Sequence, residues 1–280
     1  MSIRHLDALF APATVVVLGA SERPGSVGAT VWRNLRAGFQ GQVLGVNPRH
    51  REIDGVPVFA SVAELPQVPD LAVICTPAAT VPGLIEELGR LGTRAAVVVT
   101  AGLDKAQKQH MLDAARRHTL RILGPNCIGM LVPHLGLNAS FAHVGAAPGQ
   151  LAFVSQSGAL VTAMLDWAGS RGIGFSHFVS LGEHADVDFG DMLDYLGSDP
   201  RTRAILLYIE SIESPRKFMS AARAAARNKP VIVVKAGRSA QGQKAAASHT
   251  GALAGSDDVF DAAISRSGML RVFTLQHLFL

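Results

Sequence analysis

His249 stands in a run of small residues, Lys244-Ala-Ala-Ala-Ser-His249-Thr-Gly-Ala-Leu-Ala-Gly255. An imidazole so flanked has room for a bulky anionic group, and histidine serves as a phosphoryl carrier, a base or a metal ligand. One histidine among ten is otherwise an ordinary surface or core residue. Two further groups bear on the choice. Ser155, Gln156, Ser157 and Gly158 follow an apolar run and open a helical pattern. That places hydroxyls and unpaired N–H groups at a helix start, which is either a phosphate site or only an N-cap. The apolar run 204–209 ends in Glu210, with Glu213 close behind. When one ring nitrogen of a histidine attacks, the other must hold a proton and be oriented, a task for a carboxylate; either glutamate is otherwise a surface group.

The first loop carries a second kind of chemistry. Val15-Val-Val-Leu leads into Gly19, Ala20, Ser21, Glu22, Arg23, Pro24, Gly25 and Ser26, and a helix pattern follows. A strand, a glycine-bearing turn and a helix start bring backbone N–H groups to a phosphate. The loop departs from G-x-G-x-x-G, because Ser21 takes the place of the second glycine and the later glycines, Gly25 and Gly28, come too late. The second strand ends in Asn47, Pro48, Arg49 and His50 and not in the acidic residue that accepts from a free ribose diol. Two potentially cationic side chains there suit a ribose bearing a phosphate, so NADP and coenzyme A fit and NAD fits poorly. A tight turn fixed by Pro48 with solvated charges is the plain alternative.

The elements that must position these groups follow from periodicity. Short β-branched runs at 14–18, 42–46, 71–75, 95–100 and 121–123 alternate with helical patterns at 27–37, 81–91 and 105–118, the signature of a parallel α/β sheet. A boundary is expected in 135–150, dividing the chain into 1–145 and 146–280. A second series places strands at 151–154, 177–180, 204–209 and 230–235, with helices near 159–169, 189–196 and 216–227. In open α/β sheets ligands bind at the carboxyl ends of strands. Those ends include Cys75, Thr76 and Pro77, then Thr100, Ala101 and Gly102, then Asn126 and Cys127.

Composition narrows the class. With 280 residues, 48% hydrophobic, the chain buries a full core, and about 150 residues per domain gives two domains. Net charge is +4 and pI about 9.4, yet the basic residues are scattered in short pairs without interleaved aromatics. Nucleic-acid binding gains little from this, whereas a polyanionic small ligand suits the balance. Cys75 and Cys127 make no disulfide framework and belong to no metal-ligand cluster, so the chain reads as cytosolic with no metal of its own. The N-terminal run carries charge and no cleavage site, and no uncharged apolar run reaches about 18 residues, so neither signal peptide nor membrane span is expected.

Taken in order, the first loop, Asn47-Pro48, Cys75-Thr-Pro-Ala78, Thr100-Ala-Gly102, Gly124-Pro-Asn-Cys127, Ser155-Gln-Ser-Gly158 and Ser248-His-Thr-Gly-Ala-Leu-Ala-Gly255 resemble the NDP-forming acyl-CoA synthetases. That superfamily includes ADP-forming acetyl-CoA synthetase and the α subunit of succinyl-CoA synthetase. The resemblance implies a Rossmann-like CoA-binding domain followed by a flavodoxin-like ligase domain with a phosphorylated histidine. It implies the reaction acyl-CoA + ADP + phosphate ⇌ acid + ATP + CoA, through an acyl phosphate and phospho-His249. By motif position Glu210 matches the orienting glutamate, with Glu213 in reserve. Ser155, Gln156, Ser157 and Gly158 would receive the phosphate. The first loop, Asn47 to His50, Cys75 to Pro77 and Thr100 to Gly102 would line the CoA site, with Asn126 and Cys127 toward its thiol. ADP or ATP with Mg²⁺ would sit on an ATP-grasp domain or partner subunit of roughly 200 further residues. The close, Phe273 to Leu280, reads as the first turn of an amphipathic helix that ends without a cap, as in a piece of a longer polypeptide.

Two alternatives differ in class. Similar regions are fused to GNAT acetyltransferase domains, where the region would sense CoA or acetyl-CoA without ligase chemistry; an intact histidine motif argues for chemistry. An NADP-dependent oxidoreductase leaves His249 unexplained and lacks a Tyr-x-x-x-Lys-type constellation. A homo-oligomer is compatible with every reading.

Overall fold

The computed structural model describes residues 3–237 and 257–279. After a short helix α1 (Leu6–Phe10) the first half runs β1 (Thr14–Leu18), α2 (Val27–Gly38), β2 (Gln42–Val46), a small hairpin β3 (Glu52–Ile53) and β4 (Val56–Pro57), β5 (Leu71–Ile74), α3 (Val81–Leu91), β6 (Ala95–Val98), α4 (Lys105–His118) and β7 (Arg121–Leu123). The principal strands form an all-parallel sheet in the order β2-β1-β5-β6-β7. Both of its faces are covered, which is why β1 reads as an unbroken apolar run, buried throughout. Val15 and Val17 face a layer holding Trp32 and Leu35 of α2 with Leu9 and Phe10 of α1. Val16 and Leu18 face Ile85 and Leu88 of α3 and Met111 of α4. Helix starts follow side-chain chemistry: Ser26 Oγ accepts from Ala29 N at 3.2 Å, and Asp104 and Gln107 close a capping box on α4.

The second half runs β8 (Gly129–Val132), β9 (Leu137–Ser140), β10 (Pro148–Ser155), α5 (Gly158–Gly169), β11 (Phe175–Ser180), α6 (Phe189–Ser198), β12 (Ala204–Ile209), α7 (Pro215–Asn228), β13 (Val231–Lys235), α8 (Asp257–Arg266) and β14 (Leu270–Val272). These strands make one sheet, β14-β13-β12-β10-β11-β8-β9. From β14 to β11 neighbours are parallel, as the sequence led us to expect; β8 pairs antiparallel with β11 and with β9. So the stretch 129–140, expected in the first domain, hydrogen-bonds to the second sheet. Where the opening turn of a helix was expected, Gln276–Leu278 forms a 3₁₀ turn.

Each sheet reverses its strand order once. In the first, the chain leaves β1 for β2 on one side and β5 lies on the other; in the second, β11 and β12 flank β10. The two crevices at these reversals, outside the carboxyl ends, are where an α/β sheet takes ligands. The halves are joined by apolar packing that continues from Val73 and Leu123 through Met130 to Val154 and Leu207. Arg121 of β7 reaches Asp186 at 3.0 Å and Asp191 of α6 at 3.1 Å.

Candidate functional site

The two crevices open into one cavity of about 790 Å³. From the first half it is lined by Cys75, Thr76, Thr100, Ala101, Asn126 and Cys127; from the second by Gln156, Gly158, Glu183, His184, Glu210 and Glu213. Lys108 and Phe141 complete parts of the wall. Nine sequence-predicted residues thus meet across two domains, and Glu213, held in reserve, is there as well. His249 and its flanking motif lie outside the described residues.

Local chemistry explains how the first-half loops are held. Gly19 has φ +88°, a left-handed backbone, and a Cβ there would stand 3.1 Å from the Cys75 carbonyl, so the loops after β1 and β5 touch only because the residue is glycine. Asn47 donates to the Ala20 carbonyl at 2.7 Å and accepts from Arg49 N at 2.8 Å. It therefore braces the first loop from the end of β2. Ser21 accepts from Arg23 N and Ser26 caps α2, while Glu22 accepts from Asp54 N of the hairpin at 2.7 Å. Ala20 is buried; Arg23, Pro24, Gly25, Pro48, Arg49 and His50 are exposed. Thr100 donates to the Thr76 carbonyl at 2.8 Å and so ties two strand ends together. Pro77 starts a 3₁₀ turn, and Gly102 turns the chain at φ +80°.

Cys127 is buried and its Sγ donates to the Val98 carbonyl at 3.4 Å. Burial pushes its thiol up to about 12, and Cys75 is pushed up by burial and by proximity to Cys127. Both are neutral thiols near pH 7, which excludes either as a resting thiolate nucleophile. Asn126, at φ +56°, donates to Glu183 Oε1 at 3.3 Å, and Lys108 forms an ion pair with the same carboxylate.

At the second crevice the two serine hydroxyls are engaged within the turn. Ser155 Oγ donates to the Ser157 carbonyl at 3.1 Å and accepts from Ser157 N, and Ser157 Oγ caps α5 at Leu160 N. The capping reading thus describes their present bonds. Gln156 faces the cavity. Its Oε1 accepts from Glu210 N at 2.6 Å and Ser211 N at 3.0 Å, which fixes the chain where it leaves β12. Its Nε2 meets His184 Nε2 at 2.6 Å. His184 escaped the sequence reading: it lies in a turn, at φ +38°, where no periodicity marks it, although Gly182 two residues before flags the bend. Burial holds its imidazole below the ordinary value, against the pull of Glu213 and Asp188.

Paired α/β domains that share one crevice at their strand-order reversals define a two-domain ligand-binding α/β chain. The family model described as "CoA binding domain" matches residues 13–133, and "Succinyl-CoA ligase like flavodoxin domain" matches 148–280. The chain is 44% identical to acetate–CoA ligase [ADP-forming] I of Archaeoglobus fulgidus, covering 98% of itself and 41% of that protein. It is 42% identical to the α subunit of acetate–CoA ligase [ADP-forming] I of Pyrococcus furiosus, covering 98% of itself and 62% of the relative. It superposes with TM-score 0.94 and 38% identity on the dinucleotide-forming acetyl-coenzyme A synthetase 1 of Ca. Korarchaeum cryptofilum, solved with phosphate and ADP, over 98% of this chain and 61% of that one. The chain belongs to the NDP-forming acyl-CoA synthetase superfamily, and it spans less than two thirds of the length of these relatives.

Proposed function

We propose that this chain is the CoA-binding and phosphohistidine-carrying part of an acid–CoA ligase that interconverts acyl-CoA, ADP and phosphate with acid, ATP and CoA. The observation that carries this reading is the shared cavity, into which CoA-type loops of the first sheet and the Gln156–Gly158 helix start of the second both open. CoA fits what is there. The exposed Arg23, Arg49 and His50 meet phosphates, and Asn126 and Cys127 take the thiol end. Gly158 opens α5, whose N–H groups and dipole favour a phosphoryl group next to it. His249 carries that group and Glu210 orients its second ring nitrogen. Small residues around Asn126, Cys127 and Ser157 suit a short acid, in keeping with relatives named as acetate–CoA ligases. ADP or ATP with Mg²⁺ belongs to an ATP-grasp domain or subunit, and the free thiols suit the cytoplasm.

The test is to incubate the protein with acetyl phosphate, or with ATP and the nucleotide-binding part. Acid-labile, base-stable phosphate on His249, lost in His249→Ala, is expected. Absence of label while CoA still binds assigns the region to CoA sensing instead.

A further inference from the structure

We infer that His184 is a positioning residue of this site: as a neutral Nδ1–H tautomer it accepts from the Gln156 amide, and through that amide it fixes the backbone at Glu210 and Ser211. Addition of a proton to His184 undoes this. The inference rests on the phosphohistidine reading above and adds a regulating group to the same site.

The tautomer follows from the bonds around Gln156, which is 6% exposed. The atom facing Glu210 N and Ser211 N receives two backbone N–H groups, and an N–H only donates. That atom is therefore the amide oxygen. The other is the NH₂, which donates to Ser211 Oγ at 3.2 Å and meets His184 Nε2 at 2.6 Å. A donor at that distance requires a lone pair, so His184 Nε2 is bare and the ring proton is on Nδ1. His184 is 8% exposed, and its turn is held by His184 N donating to the Leu181 carbonyl at 3.1 Å.

An imidazolium would set N–H against N–H. Rotating the Gln156 amide relieves this clash, but it turns the NH₂ toward the N–H groups of Glu210 and Ser211 and breaks both bonds. One proton on His184 is thus transmitted to the two residues that follow β12, and Glu210 is the carboxylate assigned to orient His249. The charged groups around His184 are Glu213 from the β12–α7 loop, Asp188 at the start of α6, and Glu183 on its own turn, itself paired with Lys108. Their attraction favours the cation and burial opposes it, with burial the larger.

The experiment has two arms on the same protein. In the first, ¹⁵N spectra follow the His184 ring and the Glu210 and Ser211 amides from pH 8 downward. A neutral Nδ1–H ring is expected, with both amides shifting at the pH where His184 titrates and not shifting in His184→Gln. An Nε2–H ring, or amides indifferent to His184, overturns the inference without touching the phosphohistidine reading. In the second, the rate of phosphate incorporation at His249 from acetyl phosphate is measured against pH. His184→Ala loses about tenfold near neutral pH, the worth of one buried hydrogen bond. His184→Gln, whose amide oxygen accepts without titrating, recovers much of that rate and lowers the acid limb by one proton. An unchanged acid limb in His184→Gln overturns the inference; no label in any protein, wild type included, overturns the underlying reading, and the first arm then decides on His184 alone.

Discussion

Asn126 Nδ2 donates to Glu183 Oε1 across 3.3 Å, a bond between the last loop of the first sheet and the turn after β11 of the second. The other carboxylate oxygen of Glu183 is paired with Lys108 of α4. One side chain of the second half therefore ties two elements of the first at the cavity wall, beside Asn126, whose left-handed backbone is one that asparagine adopts more readily than most residues.

From this we expect Glu183→Ala to separate stability from binding. The Lys108 and Glu183 side chains are about a third exposed, so their pair contributes at most about 1 kcal/mol and the urea midpoint should move little. Asn126, released at the thiol end, should weaken CoA by about tenfold, the worth of one hydrogen bond to a charged group. Titration calorimetry reads the difference. Equal CoA affinity in the two proteins would remove Asn126 from the CoA site.

Asp191 is the opposite case. Its side chain is 1% exposed, and Oδ2 accepts from Lys217 Nζ at 2.7 Å, Arg121 Nη2 at 3.1 Å and the N–H of Asp188 at 3.1 Å. Asp191→Ala takes this partner from two cations that keep Asp186 and Asp188 and opens half of the α6 capping box, so we expect a loss of about 1–3 kcal/mol in urea unfolding. Asp191→Asn keeps an acceptor for the cap and should fall between that and wild type. A loss below about 1 kcal/mol for the alanine variant would mean that water solvates Arg121 and Lys217 in its absence.

What the sequence showed is tied to local pattern. The apolar run of β1 and the capping signal at Ser157 lie in the same few residues that form the element, and both were legible. The hairpin of β8 and β9 was not, because Met130 and Leu131 owe their strand to Val179 and Phe178, far along the chain. Antiparallel pairing at that separation leaves no periodic mark between the partners. The same holds for the site: strand-end motifs pointed to Thr76, Asn126 and Gln156, whereas His184 gains its role only from the distant residues that surround it. The hydroxyls of Ser155 and Ser157 bond within their own turn, as the capping signal at that helix start led us to expect.

His177 makes the fold sensitive to acid. The residue is 2% exposed, its ring edge-on to Phe10 and Tyr195 at 5.4 and 5.9 Å, and burial pushes its pKa down to about 4 from an ordinary 6.5. Between those values the unfolded chain binds a proton that the folded chain refuses. Stability is therefore intact above about pH 6.5 and falls as pH drops toward 4, by up to roughly 3 kcal/mol, with no further loss from this group below that. Urea midpoints for wild type should decline over this window, and those of His177→Asn should decline less. Parallel curves for the two proteins would assign the acid sensitivity to other groups.

Arg49 and His50 follow the brace at Asn47 and are exposed beside the first loop. If they meet the 3′-phosphate of CoA, the energy of that contact is electrostatic and partly screened, so removal of the phosphate should cost about one to two kcal/mol, roughly tenfold in affinity, and the cost should shrink in high salt. Calorimetry with CoA and with dephospho-CoA measures it directly. Arg49→Ala should lower the affinity for CoA toward that for dephospho-CoA while leaving dephospho-CoA nearly unchanged, because the two ligands differ only in the group that Arg49 is assigned to hold. Equal affinities for both ligands in the wild-type protein would place the 3′-phosphate in solvent and return the Asn47–His50 turn to a purely structural role, the brace of the Ala20 carbonyl.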